Sequence, residues 1–293
     1  MLLGVVLIVQ AAAALIPGDA TQFILGAAGN EEARQELRHE LGLDRPFFER
    51  YVSYVTGVAH GDFGRSYRTR RPVLEEIGGA LPGTLRLGGV ALVLAVILGI
   101  PLGTLSALRR NSIVDYLATV VSLFGMSMPI FWTGLLAIYV FAFRLPLFPT
   151  GGDDRGVLSY VLPGFTLCLF TVGPIARMTR TSLLEVLSED YIRTARAKGL
   201  TQLVVVARHA LRPAFIPVLT TIGLQAGVII GGAVVTETVF SWPGMGRLIV
   251  TSILARDFLV VQGAVAILAA VFILLNLLTD LLYPVVDPRI RLA

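Results

Sequence analysis

Residues 213–235 read PAFIPVLTTIGLQAGVIIGGAVV, 23 residues without one Asp, Glu, Lys or Arg. About 20 mainly apolar residues in a helix cross the hydrocarbon core of a bilayer, so this run predicts a membrane span. Arg212 stands at one end and Glu237 just beyond the other, and outward from these the same pattern recurs. Further spans are predicted at about 84–108, 116–143, 161–178 and 258–282, and a short one at about 1–17. This first run has no basic residues before it; a signal peptide cleaved near Ala11–Ala14 is the alternative reading of it.

Composition agrees. Of the 293 residues 55% are hydrophobic and 15% charged, and mean hydropathy is +0.77, whereas soluble domains carry about 25% charged residues. An ordinary soluble enzyme is excluded, and the whole chain, 1–293, is expected to form one all-α membrane domain of six transmembrane helices.

Orientation follows from cations in short loops, which are retained in the cytoplasm. Arg109 and Arg110 lie between spans two and three, and Arg177, Arg180, Arg193, Arg196, Lys198, Arg208 and Arg212 lie around loop 179–212. Arg289 and Arg291 follow span six. The opposite short loops hold only Arg144, Arg155, Arg247 and Arg256. Both termini are therefore expected in the cytoplasm and segment 18–82 outside. In that segment Asn30 can cap a helix with Ala33, Leu37 and Leu41 on its apolar face and Gly42 as its left-handed terminator. A second amphipathic stretch, Pro72 to Ile77, leads into span two. The segment reads either as a lid over helix ends or as a docking surface for an external partner.

Several chemistries are missing from the sequence. There is no G-x-x-x-x-G-K-[ST] phosphate loop, since the one lysine is Lys198 in Ala197-Lys198-Gly199-Leu200. His39, His60 and His209 have no ligand spacing, and Cys168 is the only cysteine, which excludes an internal disulfide and a cysteine zinc cage. No nucleophile triad or paired carboxylates lie in the spans, so neither catalysis nor a metal or cofactor site is expected. Net charge is +4, with scattered cations, which does not suit nucleic acid.

The loop before the opening span reads Ser188-Glu-Asp-Tyr-Ile-Arg-Thr-Ala-Arg-Ala-Lys-Gly-Leu200. Ser188 can cap a helix, Glu189 and Asp190 suit its positive end, Lys198 its negative end, and Gly199 can take the positive φ that ends it. Two turns of helix are marginal alone and need a surface to pack on. Small Ala195 and Ala197, flanked by cations, suit a groove on another protein or, equally on physical grounds, the lipid headgroups. In span five Gly223, Gly227 and Gly231 recur every fourth residue as one smooth stripe. It reads as tight helix packing or as a sliding seam or pathway wall between subunits; Gly99 and Gly103 form a weaker version in span two. After span five, Glu237 to Gly246 carries an acid, Phe240, Trp242 and a Pro243-Gly244-x-Gly246 turn. The aromatics are expected in the interfacial belt.

Tyr191-Ile-Arg-Thr-Ala-Arg-Ala-Lys-Gly-Leu200, with Arg208-His209-Ala210-Leu211-Arg212 and Pro217, resembles the coupling loop of bacterial ABC importer permeases of the dipeptide/oligopeptide/nickel branch. Pro17-Gly18-Asp19, Leu41 to Pro46, Gly61-Asp62-Phe63-Gly64-Arg65-Ser66, Glu237 to Gly246 and Asp287-Pro288-Arg289 resemble that family's blocks, so the likeness covers nearly the whole chain. Within the family's Glu-Ala-Ala-x-x-x-Gly pattern Ala195 and Gly199 match, while Arg193 and Thr194 replace the Glu and first Ala, and Pro213 stands where Asn is common.

The resemblance implies the type I ABC importer permease fold in the bacterial inner membrane. It implies a coupling helix of Tyr191, Arg193, Thr194, Ala195, Arg196, Ala197, Lys198 and Gly199, supported by His209 and Arg212. Gly223, Gly227 and Gly231 would then line a packing seam or pathway. Glu237, Phe240, Trp242, Pro243, Gly244 and Gly246 would lie at an external gate or binding-protein contact. The implied partners are a second homologous permease, one or two ABC ATPase subunits that bind ATP and magnesium, an extracytoplasmic binding protein and the bilayer. Expected cargo is di- or oligopeptides; nickel, glutathione or another small solute is the alternative within the family. An ATP-independent channel or secondary transporter is the alternative outside it, and should show ionisable residues at the midplane or inverted repeats.

Overall fold

The computed structural model describes residues 2–15, 20–25 and 30–286. The blocks Pro17–Asp19 and Asp287–Arg289, and Arg291, lie outside the described residues. In chain order the helices are α1 (Leu2–Leu15), α2 (Ala20–Leu25), α3 (Glu31–Glu40), α4 (Phe47–Ala59), α5 (Val73–Leu108), α6 (Ile113–Ser127), α7 (Ile130–Ala137), α8 (Val157–Leu187), α9 (Asp190–Ala197), α10 (Gln202–Val204), α11 (Leu211–Val239), α12 (Met245–Leu254) and α13 (Phe258–Val286). Wide π turns extend α7 over Ile138–Arg144 and join α10 to α11 over Val205–Ala210.

Four of these helical stretches, those of α5, α8, α10–α11 and α13, are long and apolar enough to cross a membrane, and α6 with α7 makes a fifth if counted as one span. The predicted span at about 116–143 is broken: α6 and α7 are bent by 102° across Met128 and Pro129. Pro129 has no N–H to continue the helix and forces the residue before it out of the helical region; Met128 has φ −80° and ψ 132°. The second span also differs from expectation. Its helix begins at Val73, so the amphipathic stretch from Pro72 and the last ten residues assigned to segment 18–82 belong to α5 itself. Over the predicted first span lies α1, an apolar helix of 14 residues that is shorter than the stretches long enough to cross a membrane.

The chain divides into two compact units, and the division falls within α5 and α13. One unit contains the described residues up to Leu85 together with Ser241–Val271. Here Asn30 caps α3 as expected, its Oδ1 accepting from the Ala33 N–H at 2.8 Å, and Gly42 follows the helix with φ +64°. The start of α5 buries Val73 and Ile77 against Met245, Ile249, Val260, Val261 and Ala264, which gives the amphipathic stretch its partner. Gln10 donates from Nε2 to the Phe47 carbonyl at 3.2 Å, and the Tyr51 hydroxyl donates to the Leu3 carbonyl at 3.1 Å, so α1 and α4 lie side by side.

The other unit contains Arg86–Phe240 and the described residues from Phe272 onward. At its centre α8 packs between α5, α6 and α11, with Cys168, Val172 and Ile175 buried against Ala95 and Val218. Glycine sets the approach. A Cβ at Gly103 would overlap the Ala176 carbonyl, and one at Gly125 the Leu169 carbonyl, so α5 and α6 both touch the backbone of α8.

Candidate functional site

The segment that differs most from a simple bundle is α9, eight residues set between two long apolar helices. Its start differs from expectation. Ser188 closes α8 instead of capping α9, its hydroxyl donating to the Glu185 carbonyl at 2.7 Å, because α8 runs on to Leu187. Glu189, with extended backbone, takes the N-cap position. The other end follows the sequence: Lys198 ends the helix and Gly199 has φ +78°.

What holds so short a helix is apolar contact. Ile192 is completely buried and Ala195 nearly so, packed with Leu183 of α8, Ala107 at the end of α5, and Val205, Val206, Ala210 and Ala214 of the following segment. Ala195 therefore faces inward, which corrects its reading as part of a smooth outer surface; the i, i+3 spacing of Ile192 and Ala195 places both on the face that packs. Tyr191, Arg193, Thr194, Arg196, Ala197 and Lys198 are exposed. The Arg193–Asp190 pair at 3.3 Å is solvent-exposed and contributes little to stability. The Tyr191 phenol is held above its ordinary pKa by partial burial and the nearby Glu189 charge, so it stays neutral. Arg208 and His209 lie in the π turn that leads to α11, and Arg212 is exposed at the start of α11.

One turn of α8 before Leu183 lies a second polar feature, unmarked in the sequence reading. Arg180 grips Asp115 of α6 through two bonds, Nε to Oδ1 at 2.7 Å and a terminal nitrogen to Oδ2 at 2.8 Å. The Ser106 hydroxyl of α5 and the Asn111 N–H also donate to this carboxylate. The Asp115 side chain is 6% exposed, so four donors and the bidentate geometry offset its desolvation. One carboxylate thus joins α5, α6 and α8 beside the base of α9. A signal was present: Asp115 follows Ser112 by three residues at a helix start, and the Ser112 hydroxyl accepts from the Asp115 N–H at 3.4 Å.

The stretch from Glu237 to Gly246 is built differently from its prediction. Glu237 is fully buried in the last turn of α11. Phe240 is buried against Gly134, and its carbonyl accepts from the Gly152 N–H at 2.9 Å. Trp242, in the unit that begins at Ser241, is buried too, and its indole N–H donates to the Gly83 carbonyl at 3.0 Å. Neither aromatic is exposed on the surface of this chain; each is buried in protein. A Cβ at Gly83 would overlap the Pro243 carbonyl, and the Met245 N–H bonds Thr84 Oγ1 at 2.7 Å. Pro243 is exposed, while Gly244 and Gly246 are buried at the start of α12.

Of the α11 stripe, Gly223 and Gly227 are packing sites for α13: a Cβ would overlap Thr279 at the first and the Phe272 ring at the second. Gly231 faces open space. Among the described residues no group of three or more His, Cys, Asp or Glu could hold a metal ion.

Comparison with known proteins places this architecture. Residues 99–292 match the family of binding-protein-dependent transport system inner membrane components. The chain is 43% identical to the dipeptide transport system permease protein DppB of Escherichia coli strain K12, over 99% of this chain and 94% of that protein. It is 41% identical to the di/tripeptide transport system permease protein DppB of Pseudomonas aeruginosa strain UCBPP-PA14, over 98% and 94%. It is also 42% identical to the glutathione transport system permease protein GsiC of E. coli strain K12, over 94% and 90%. In three dimensions it is similar to a chain of the inward-facing MetNI methionine ABC transporter, with a TM-score of 0.63 at 18% identity, covering 73% of this chain and 97% of that one.

Proposed function

Because the chain belongs to the family of binding-protein-dependent transport system inner membrane components, a multi-pass class of ABC importer permeases, we propose that it forms half of the translocation pathway of a di- or oligopeptide importer. Its partners are a second homologous permease, one or two ATPase subunits that carry the nucleotide, and a substrate-binding protein on the outer face. Both termini lie in the cytoplasm, on the side of the nine cations around the short loops and the two that follow the last span.

The observation that carries the reading is α9. A two-turn helix is marginal in isolation, yet here it is held by Ile192 and Ala195 on an apolar cluster shared with α5, α8 and the start of α11. Force applied to its exposed face therefore reaches three long helices together. That supports α9 as the contact through which closure of the ATPase pair becomes a rigid-body movement of the spans. The Asp115–Arg180 pair brings α6 into the moving body, and the α6–α7 break gives that body an angular wall. His209 and Arg212 flank the contact, and Glu237, Phe240, Trp242, Pro243, Gly244 and Gly246 shape the outer side. Gly231, open where Gly223 and Gly227 are packed, is the member of the stripe available to the pathway or to the second permease.

Dipeptides are favoured as cargo by the two dipeptide-permease relatives; glutathione, itself a peptide, is the second reading, favoured by GsiC. The test is the complete system of both permeases, the ATPase subunits and the binding protein in proteoliposomes, with ATP inside and loaded binding protein outside. Dialanine is expected to raise ATP hydrolysis and accumulate, with nickel ions inert. ATP-independent equilibration of solute by this chain alone would overturn the reading.

A further inference from the structure

The membrane-spanning helices offer little polar chemistry to a peptide, but the unit that contains α1 and α4 holds a polar cavity of about 320 Å³. Among its walls are Gln10, Arg45, Arg50, Tyr54, Asp62 and Tyr67. Gln10 is the one polar side chain in α1 and is only 3% exposed. Its Nε2 is spent on the Phe47 carbonyl, and its Oε1 has no partner. The Tyr54 hydroxyl is likewise buried without a partner. Buried polar atoms are ordinarily satisfied, and each exception needs a reason.

The charges lining the cavity are also unspent. Arg45 and Arg50 have no carboxylate partner among the described residues. Asp62 accepts the Gly64 N–H on one oxygen at 2.8 Å, which leaves the other for a cation. Burial raises the Tyr54 phenol above its ordinary pKa and pushes Tyr67 up to about 12, against the pull of Arg50, so both phenols remain donors. Guanidinium groups match the planar fork of a carboxylate. Gln10 Oε1 and Asp62 need a ligand that donates N–H. A ligand with only an anion would leave Gln10 Oε1 and Asp62 unanswered; one that carries both a carboxylate and an ammonium or amide N–H answers all of these groups.

We infer that this cavity binds a small zwitterion of that kind, a free amino acid or short unblocked peptide, as a subsite of the permease outside its spans. The choice of peptide rests on the transport reading above, and the site itself rests on the unpartnered groups. Its volume is at the low end for small-molecule sites, which favours a dipeptide over longer cargo.

The test uses the permease–ATPase complex in nanodiscs, without ATP or the external binding protein, and radiolabelled dialanine. Saturable binding is expected, about tenfold weaker for dialanine amide and for Arg50→Gln, since each removes a charge-assisted hydrogen-bonded contact. Tyr54→Phe deletes only the hydroxyl from a half-buried ring and is expected to weaken binding several-fold with an unchanged melting temperature. Arg109→Gln, outside the cavity, should bind like the parent. Equal affinity in the parent and both cavity variants would overturn the site, as would displacement of dialanine by glycerophosphoethanolamine as readily as by unlabelled dialanine. Uptake by the complete system, run in parallel, separates the two readings: uptake without Arg50-dependent binding removes the subsite and leaves the transport reading standing.

Discussion

Gly199→Pro is expected to leave the protein folded in the membrane and to abolish ATP hydrolysis coupled to transport. Gly199 sits at φ +78° with nothing within 4 Å of where a Cβ would be, so an added Cβ meets no neighbour. Its backbone is the difficulty. Proline fixes φ near −65° and lacks the N–H that Gly199 donates to the Arg196 carbonyl at 2.9 Å. The last turn of α9 must unwind, and the cations at 196 and 198 leave their positions. Gly199→Asn supplies the control, because Asn tolerates the left-handed region; it should keep most of the coupling. The measurement is substrate-stimulated ATPase activity in proteoliposomes beside a melting curve in detergent. Full stimulation in the proline variant would remove α9 from the coupling path.

Asp115→Asn is expected to destabilise the protein by about 3 kcal/mol, the lower part of the range for breaking a buried ion pair. The lower part applies because Arg180 is 29% exposed and water can take some of its charge. Removing both partners should cost less than removing one: Asp115→Leu with Arg180→Met leaves no unpaired charge and is expected to recover much of the loss. Reversible denaturant unfolding of the parent, Asp115→Leu, Arg180→Met and the double variant gives the coupling energy directly. Additive single effects would show that the pair does not act as a unit. If the pair also carries α6 with α8 during transport, the stabilised double variant should still show weakened coupling.

Local signals were legible in the sequence, and long-range contacts were not. Asn30 and Gly42 bracket α3 as their chemistry requires, and the apolar runs place the long spans, because both depend on near neighbours. Gly199 likewise marks the end of α9 without reference to anything distant. The start of α9 is different: Ser188 is as good a cap as Glu189, and which helix it serves depends on how far α8 continues. Pro129 was visible, but a continuous apolar run around it hid the break. A glycine stripe announces a smooth surface without saying what lies on it, and only the fold shows Thr279 and Phe272 against Gly223 and Gly227. Trp242 carries the same ambiguity, since an indole is as suited to a membrane interface as to a buried hydrogen bond with Gly83. Asp115 and Arg180 are 65 residues apart, and neither looks exceptional until the bundle brings them together.

The exposed face of α9 is expected to dock on an ATPase subunit. Cys168, the only cysteine, is fully buried, so Arg196→Cys provides a single accessible thiol, which can carry a benzophenone maleimide. Illumination in native membranes, followed by mass identification of the adducts, is the direct measurement. A cross-link from residue 196 to a P-loop ATPase, weakened when Gly199→Pro is added, is the predicted result. Adducts to lipid or to a second copy of this chain, with no ATPase among them, would contradict it.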